Sequence, residues 1–246
     1  AFYQQQGNVG LWSEDGRREA LQGQLLLLAD DGLDPAHYRL PDAVASANVL
    51  CTDFETTQHY LQALHDLHYG RLQQSHYEPL WHSQPPSEDP ALAVLALANT
   101  GLADMPAAFD QARPGAELYR SLRKAYAAQR LQPLPQWGVV ADGPLLRPGR
   151  EDPRVPALAR RLLSGGYLAS LPTGPAHLYG NDLVTAVKSF QASHSLQADG
   201  VIGPGTVAEL NVSPAVRREQ LRVNLERFRW LAQDLEPDGI LVNVAA

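Results

Sequence analysis

Cys51, the one cysteine of the chain, stands in Val49-Leu50-Cys51-Thr52-Asp53 at the start of an amphipathic stretch. A nucleophilic thiolate needs its pKa lowered by a neighbouring base or a helix N-terminus. A first-turn position supplies the dipole, but no flanking base accompanies it, so Cys51 reads as a packed or partly exposed structural thiol. His59, His65 and His68 lie on the same helix, followed by His76 and His82. His65 and His68, at i and i+3, share a face, yet no third ligand is evident and the spacing is not HExxH. No metal is expected, and His68 reads as a hydrogen-bonded core histidine. The carboxylate pairs Glu14/Asp15, Asp30/Asp31, Glu88/Asp89 and Glu151/Asp152 all stand beside turns. They read as solvated loop charge rather than two carboxyl groups set across a cleft for glycoside cleavage. Arg217, Arg218, Arg222, Arg227 and Arg229 form a basic stretch near the C-terminus. It could face an anionic glycan–peptide, but a solvated or internally salt-bridged face is the plainer expectation.

Composition narrows the function classes. Lys and Arg number 20 against 27 Asp and Glu, a net charge of −7, and no basic run occurs. Nucleic acid is therefore excluded as the expected partner. The chain is 44% hydrophobic and 19% charged, a globular balance, and 246 residues make one to two domains. Apolar runs such as Leu25–Ala29 are far shorter than a membrane span. A single cysteine makes no internal disulfide, which leaves the redox compartment open. The chain starts at Ala1 with neither methionine nor an apolar signal core, which reads as a processed or trimmed chain.

The elements that must position any site are helical. Leu21, Leu25 and Leu28 recur at i, i+4, i+7 over Arg17–Asp30, closed by Asp31-Gly32. A second helix is expected over Asn48–Tyr69, with Leu50, Phe54, Thr57, Leu61, Leu64 and His68 as its inner stripe. Further helices are expected at Pro90–Asn99, Ala103–Ala112 and Ala116–Gln129. Leu131–Asp152, rich in Pro and Gly, reads as a linker, with a hairpin pairing Trp137–Val140 against Leu145–Arg147 across Asp142-Gly143. Helices follow at Pro153–Leu163, Asn181–Ser193 and Pro204–Leu210, then a long one at Pro214–Leu235. Gly239–Val244 reads as a buried β-strand. A lone strand leaves its backbone groups unpaired, so its partners are expected downstream.

Val155–Leu163 with Gly165-Gly166, the run Leu183–Gln191 and Leu196–Thr206 with Leu210 carry a recognisable pattern. The order Ala186-Val187-Lys188-Ser189-Phe190-Gln191, then Asp199-Gly200-Val201-Ile202-Gly203-Pro204, resembles the first class of bacterial peptidoglycan-binding domains, a three-helix fold. Most of it has a folding reason. Ala186, Val187 and Phe190 fill a small core, Asp199-Gly200 makes a tight turn, Ile202 anchors the loop, and Pro204 opens the last helix. Such a module implies peptidoglycan as partner. A muropeptide offers sugar faces for aromatic rings, and amides and carboxylates for polar side chains. The eligible residues are Tyr167, Tyr179, Asn181, Lys188, Gln191 and Thr206. Tyr167 and Tyr179 flank the loop Leu168–Leu178, long enough to form a groove wall.

A wider resemblance rests on Phe2-Tyr3 and Trp12, Gly32-Leu33-Asp34-Pro35 to Tyr38, the helix Leu50–Gly70, Asn224–Leu231 and Leu241–Val244. These look like the large periplasmic L,D-transpeptidases of Gram-negative bacteria. In that family a helical scaffold and a peptidoglycan-binding module precede a β-rich catalytic domain. The resemblance implies a periplasmic parent that forms 3–3 cross-links. The family's Ser-x-Gly-Cys-x-Arg motif is absent from these 246 residues, so the chain itself is expected to be non-catalytic and to need no cofactor. The expected fold is mainly α. A helical scaffold over 1–130 is followed by the linker over 131–152 and the three-helix module over 153–212. The long helix and terminal strand then occupy 213–246. Two other readings stay open: a periplasmic protein–protein adaptor, with other cell-wall enzymes as partners, and a peptidoglycan hydrolase.

Overall fold

A computed structural model describes residues 2–13, 16–42, 48–81 and 88–234. The expected strand at 239–244 and the pair Glu14/Asp15 lie outside these. In chain order the helices are α1 (Phe2–Gln5), α2 (Arg17–Leu27), α3 (Val49–Tyr69), α4 (Gln74–Tyr77), α5 (Pro90–Ala103), α6 (Met105–Ala112), α7 (Glu117–Arg130), α8 (Val155–Ser164), α9 (Asn181–Ser193), α10 (Pro204–Leu210) and α11 (Pro214–Asp234). Short 3-10 turns at Leu28–Asp31 and Pro35–Tyr38 separate α2 from α3. The architecture is mainly α, as the periodicity requires. The described residues divide into two compact units, one of residues up to Gln132 together with 218–234, the other Pro133–Arg217.

In unit 1 the helix ends are set by residues that complete the first-turn N–H groups. Asn48 Oδ1 accepts from the N–H of Leu50 and Cys51 at 3.1 and 3.2 Å, opening α3. Asp89 and Asp104 do the same for α5 and α6, each with a proline in the first turn. Gly32, at φ 75, terminates the turn after α2 in the left-handed region that other residues avoid. Leu21, Leu25 and Leu28 pack fully buried against Tyr60, Leu64, Leu67 and Phe109. Each such side chain removed from water contributes about 1.5–3 kcal/mol.

The inner face of α3 differs from the apolar stripe expected for it. Leu50 and Phe54 are 76% and 54% exposed, whereas Asp53, Thr56 and Thr57 are buried. The reason is the N-terminal segment. Its backbone meets α3 there, and Asp53 Oδ1 accepts from the N–H of both Leu11 and Trp12 at 2.9 Å. Tyr3 Oη donates to Asp53 Oδ2 at 2.5 Å, and Trp12 Nε1 donates to Thr57 Oγ1 at 2.8 Å. Buried polar groups must be paired, so α3 turns a polar face inward there.

The carboxylates at the end of α2 are not solvated loop charge. Asp31 is fully buried and Asp30 mostly so. Arg113, Arg123 and Tyr119 all donate to the Asp31 carboxylate, and Arg130 pairs with Asp30. The basic residues of α11 are likewise committed. Arg229 bridges Glu226 and the Asp31 carbonyl, Arg227 pairs with Glu78 at 3.0 Å and Arg222 with Glu219 at 2.7 Å. Arg218 donates to Gln132 O, and Arg217 pairs with Glu209.

Unit 2 builds a small core from Val155, Leu158 and Leu162 of α8, Leu183, Val187 and Phe190 of α9, and Ile202, Val207 and Leu210. Val140 and Leu146 join it. The expected hairpin is replaced by another pairing, in which Leu146 bridges antiparallel to Ile202, with both N–H···O distances 3.0 Å. Val140 needs no strand partner because Asn211 satisfies both its backbone groups, at 2.9 and 2.8 Å. Trp137 lies under the Arg161 guanidinium, 3.9 Å from ring centroid to Cζ, while Arg161 Nε donates to Leu210 O.

Candidate functional site

Unit 2 carries a groove built by sequence features that are individually unremarkable. The stretch Leu171-Pro172-Thr173-Gly174-Pro175 cannot continue a helix, so the chain leaves α8 and returns to α9 through an open loop. Two adjoining depressions of about 170 and 150 Å³ lie along it. They share Pro172, Gly174, Pro175, Leu178 and Leu183, and so form the two halves of one groove. Its other wall is α8, through Val155, Pro156, Ala159 and Arg160. At one end lies the first turn of α9, where Gly180 provides no side-chain cap. The uncapped N–H groups of a helix start, with their partial positive charge, suit a carbonyl or carboxylate. Asn181 and Asp182 are exposed there, and Arg160 is exposed on the α8 side.

The six residues named from sequence divide sharply. Asn181 lines the groove. Lys188 is exposed, but its Cγ and Cε lie 3.3 and 3.0 Å from where a Cβ on Gly200 would stand, covering the turn. Tyr167 is half-buried edge-on against Phe190, and its hydroxyl meets Ser193 Oγ at 2.8 Å. Tyr179 is fully buried, its hydroxyl donating to Gly200 O at 2.8 Å, and burial pushes its pKa well up. Gln191, 2% exposed, accepts from Gly200 N–H at 2.9 Å and donates to Val201 O at 3.0 Å. It also donates to Thr206 Oγ1 at 3.2 Å, which is itself buried. Tyr179, Gln191 and Thr206 thus clamp the Asp199-Gly200 turn. The wall residues Leu171, Pro172, Pro175 and Arg160 have no motif to announce them; only the length of the loop Leu168–Leu178 pointed to a groove wall.

One arrangement at the far end of α9 from the groove has the order of a nucleophile, base and acid without the geometry. Ser193 Oγ lies 3.0 Å from His194 Nδ1, and His194 Nε2 lies 4.0 Å from Glu209. Both Ser193 Oγ and His194 Nδ1 are also within 2.9 and 2.8 Å of Phe190 O, an acceptor only. Each spends its proton on that carbonyl at the end of α9, which leaves the imidazole no free Nδ1 to deprotonate the hydroxyl. In unit 1, Cys51 is exposed. His65 Nδ1 sits 3.2 Å from Asp66, and His68 Nδ1 is bonded to Ala112 O at 3.0 Å. Among the described residues no group of three or more His, Cys, Asp or Glu is arranged to hold a metal ion. No helix among them is long and apolar enough to cross a membrane.

Comparison with known proteins agrees with this division of the chain. No curated protein matches it. Residues 151–210 match the family described as "putative peptidoglycan binding domain", and residues 1–125 match the family described as "scaffold domain". The groove therefore lies on a peptidoglycan-binding module, and through the match that spans residues 1–125 of its 246 the chain belongs to the scaffold-domain family.

Proposed function

We propose that this chain is the scaffold and peptidoglycan-binding region of a periplasmic L,D-transpeptidase-like enzyme that forms 3–3 cross-links. Unit 2 holds the glycan–peptide in the groove between α8, the loop 171–180 and the first turn of α9. The observation that carries this reading is the composition of that groove. Leu171, Pro172, Pro175 and Leu178 offer an apolar surface to alanine methyl groups and sugar faces. Arg160 offers a guanidinium to a stem carboxylate, and Asn181 with the start of α9 meets amide or carboxylate oxygens. Of the residues expected from sequence, Asn181 binds directly, Tyr167 and Lys188 are peripheral, and Tyr179, Gln191 and Thr206 hold the module in shape. The transpeptidase assignment is supported by the sequence resemblance that runs from Phe2-Tyr3 to Asn224–Leu231.

Retention of the purified chain on sacculi tests the binding. Leu171→Glu combined with Arg160→Glu changes only solvent-facing positions, so the variant folds as the parent does and is released into the supernatant. Wild-type retention of that variant, with an unaltered circular dichroism melt, would reject the groove.

A second reading is favoured by one surface feature. Val49, Leu50 and Phe54 on the first turns of α3 are 75%, 76% and 54% exposed, an apolar face suited to a protein partner in the periplasm. Under that reading, Leu50→Glu with Phe54→Glu abolishes binding to another cell-wall enzyme and leaves sacculus retention intact.

A further inference from the structure

Unit 1 contains a larger cavity than the groove of unit 2, about 500 Å³, between the chain after α2, the start of the segment after α3, and α11. That volume matches small-molecule and short-peptide sites, which run to roughly 300–1,000 Å³. Two glycines let its walls meet. Gly32, at φ 75, faces Arg222, whose Cγ is 2.8 Å from where a Cβ would stand. Gly70, at φ 92, faces Trp230 Nε1 and Glu226 Oε1, at 2.6 and 3.0 Å from the corresponding point. Leu33, Leu72, Val223 and Trp230 make the apolar lining.

The charged lining is mostly balanced from within. Glu226 accepts from Leu72 N–H at 2.7 Å and from Arg229 at 2.5 Å. Arg227 is paired with Glu78, and Arg222 with Glu219. Arg71 differs, because its Nη2 lies 3.2 Å from His37 Nε2, a ring nitrogen rather than a carboxylate. The imidazole, whose Nδ1 lies 3.9 Å from Asp34, steadies Arg71 at the rim without neutralising it. Trp230 is 6% exposed and its indole Nε1 faces Gly70, so the ring adds apolar surface to the wall rather than a donor to the cavity. A cavity with an apolar floor and an unneutralised guanidinium at its rim calls for a ligand with an apolar body and a carboxylate. Asp34, the lining carboxylate without an arginine partner, can accept from an amide N–H group of such a ligand.

We infer that this cavity binds the C-terminus of a short peptide, with the terminal carboxylate on Arg71 and an apolar terminal side chain on Leu33, Leu72, Val223 and Trp230. The site is independent of the groove on unit 2, and neither needs the other to be correct. Titration of the full chain with N-acetyl-Ala-Leu, its C-terminal amide and octanoate tests it, read by calorimetry and by the Trp230 indole N–H resonance. The free acid binds saturably and shifts that resonance, the amide binds at least five-fold more weakly, and octanoate, lacking amide N–H groups, is weaker again. Arg71 is exposed and outside the core, so Arg71→Gln folds normally; it binds the acid at least five-fold more weakly and no longer distinguishes acid from amide. No saturable binding, octanoate binding equal to the peptide, or an Arg71→Gln protein that keeps the wild-type acid-to-amide ratio would each overturn the assignment. Sacculus retention, read separately, is unchanged in Arg71→Gln.

Discussion

The carboxylate of Asp31 and the guanidinium of Arg113 meet as a two-pronged pair inside unit 1. Arg113 Nε lies 3.1 and 3.2 Å from the two oxygens, and Nη2 lies 3.0 Å from Oδ2. Burial by itself lowers the Arg113 pKa, and the Asp31 charge and hydrogen bonds more than reverse that. Arg123 Nε and Tyr119 Oη complete the ring of donors at 2.9 and 3.0 Å, so one aspartate ties the end of α2 to α6 and α7. Breaking a buried pair from one side strands the other charge. Asp31→Asn is therefore expected to lower the stability of unit 1 by about 3–5 kcal/mol in urea melts. Asp110→Asn is the control. That carboxylate pairs with the same Arg113 at 2.8 Å but is 79% exposed, and its loss costs less than about 1 kcal/mol.

Gly101 sits inside α5, where alanine is ordinarily the better helix former by about 0.8–1 kcal/mol. A Cβ at this point would stand 1.9 Å from Tyr60 Oη and 3.0 Å from the Ala108 Cβ. Tyr60 is fully buried and donates to Ala98 O at 3.0 Å, so the ring has no room to yield. Gly101→Ala is expected to destabilise unit 1 by about 1–3 kcal/mol, against the propensity scale. Adding Tyr60→Phe should recover part of that loss; a strictly additive double mutant would show that the hydroxyl is not the obstacle.

Folding and binding separate within unit 2. Gln191→Ala leaves Gly200 N–H and Val201 O without their side-chain partner, at a cost of about 1–3 kcal/mol for each that stays buried and unpaired. Its sacculus retention should fall only in proportion to the unfolded fraction. Asn181→Ala, at an exposed groove position, should do the reverse, weakening retention without moving the melting transition. Equal thermal shifts from the two variants would contradict this assignment.

His68 gives unit 1 a pH dependence of defined sign. Burial holds its pKa below 6.5, aided by the charge of His65 and opposed by the hydrogen bond to Ala112 O. The unfolded chain takes up this proton near the ordinary value while the folded one resists it. The His68 contribution is thus complete above about pH 6.5 and declines as pH falls from there toward the folded value. His68→Gln is expected to flatten the melting-temperature profile between pH 7 and 5. A slope identical to wild type would assign that dependence to other groups.

Helices with a clean 3.6-residue period were legible in advance, because apolar spacing and first-turn caps are local properties. Leu21, Leu25 and Leu28 are buried as expected, and so are Val155, Leu158, Leu162, Leu183, Val187 and Phe190. The stripe on α3 was misjudged for a reason that spacing cannot carry. Thr57 is buried as expected, but Asp53 faces inward where Leu50 and Phe54 do not, because of what Leu11, Trp12 and Tyr3 bring to it from more than forty residues away. The same holds for Asp31, whose donors arrive from α6 and α7, and for Leu146, which pairs with Ile202 while Asn211 satisfies Val140, both partners more than fifty residues away.

The proposed groove on unit 2 shows the division most plainly. The pattern Ala186–Gln191 with Asp199–Pro204 determined the three-helix module and its association with peptidoglycan, since a turn, a small core and a helix start are encoded by neighbours in the chain. Which polar residues remain free for a ligand was decided by tertiary packing. Tyr179 and Gln191 look as available as Asn181 in a linear reading, yet their hydrogen bonds are spent on the 199–201 turn, whereas Asn181 is exposed and lines the groove. Burial is a property of the folded surface, and no local spacing records which side of that surface a side chain will occupy.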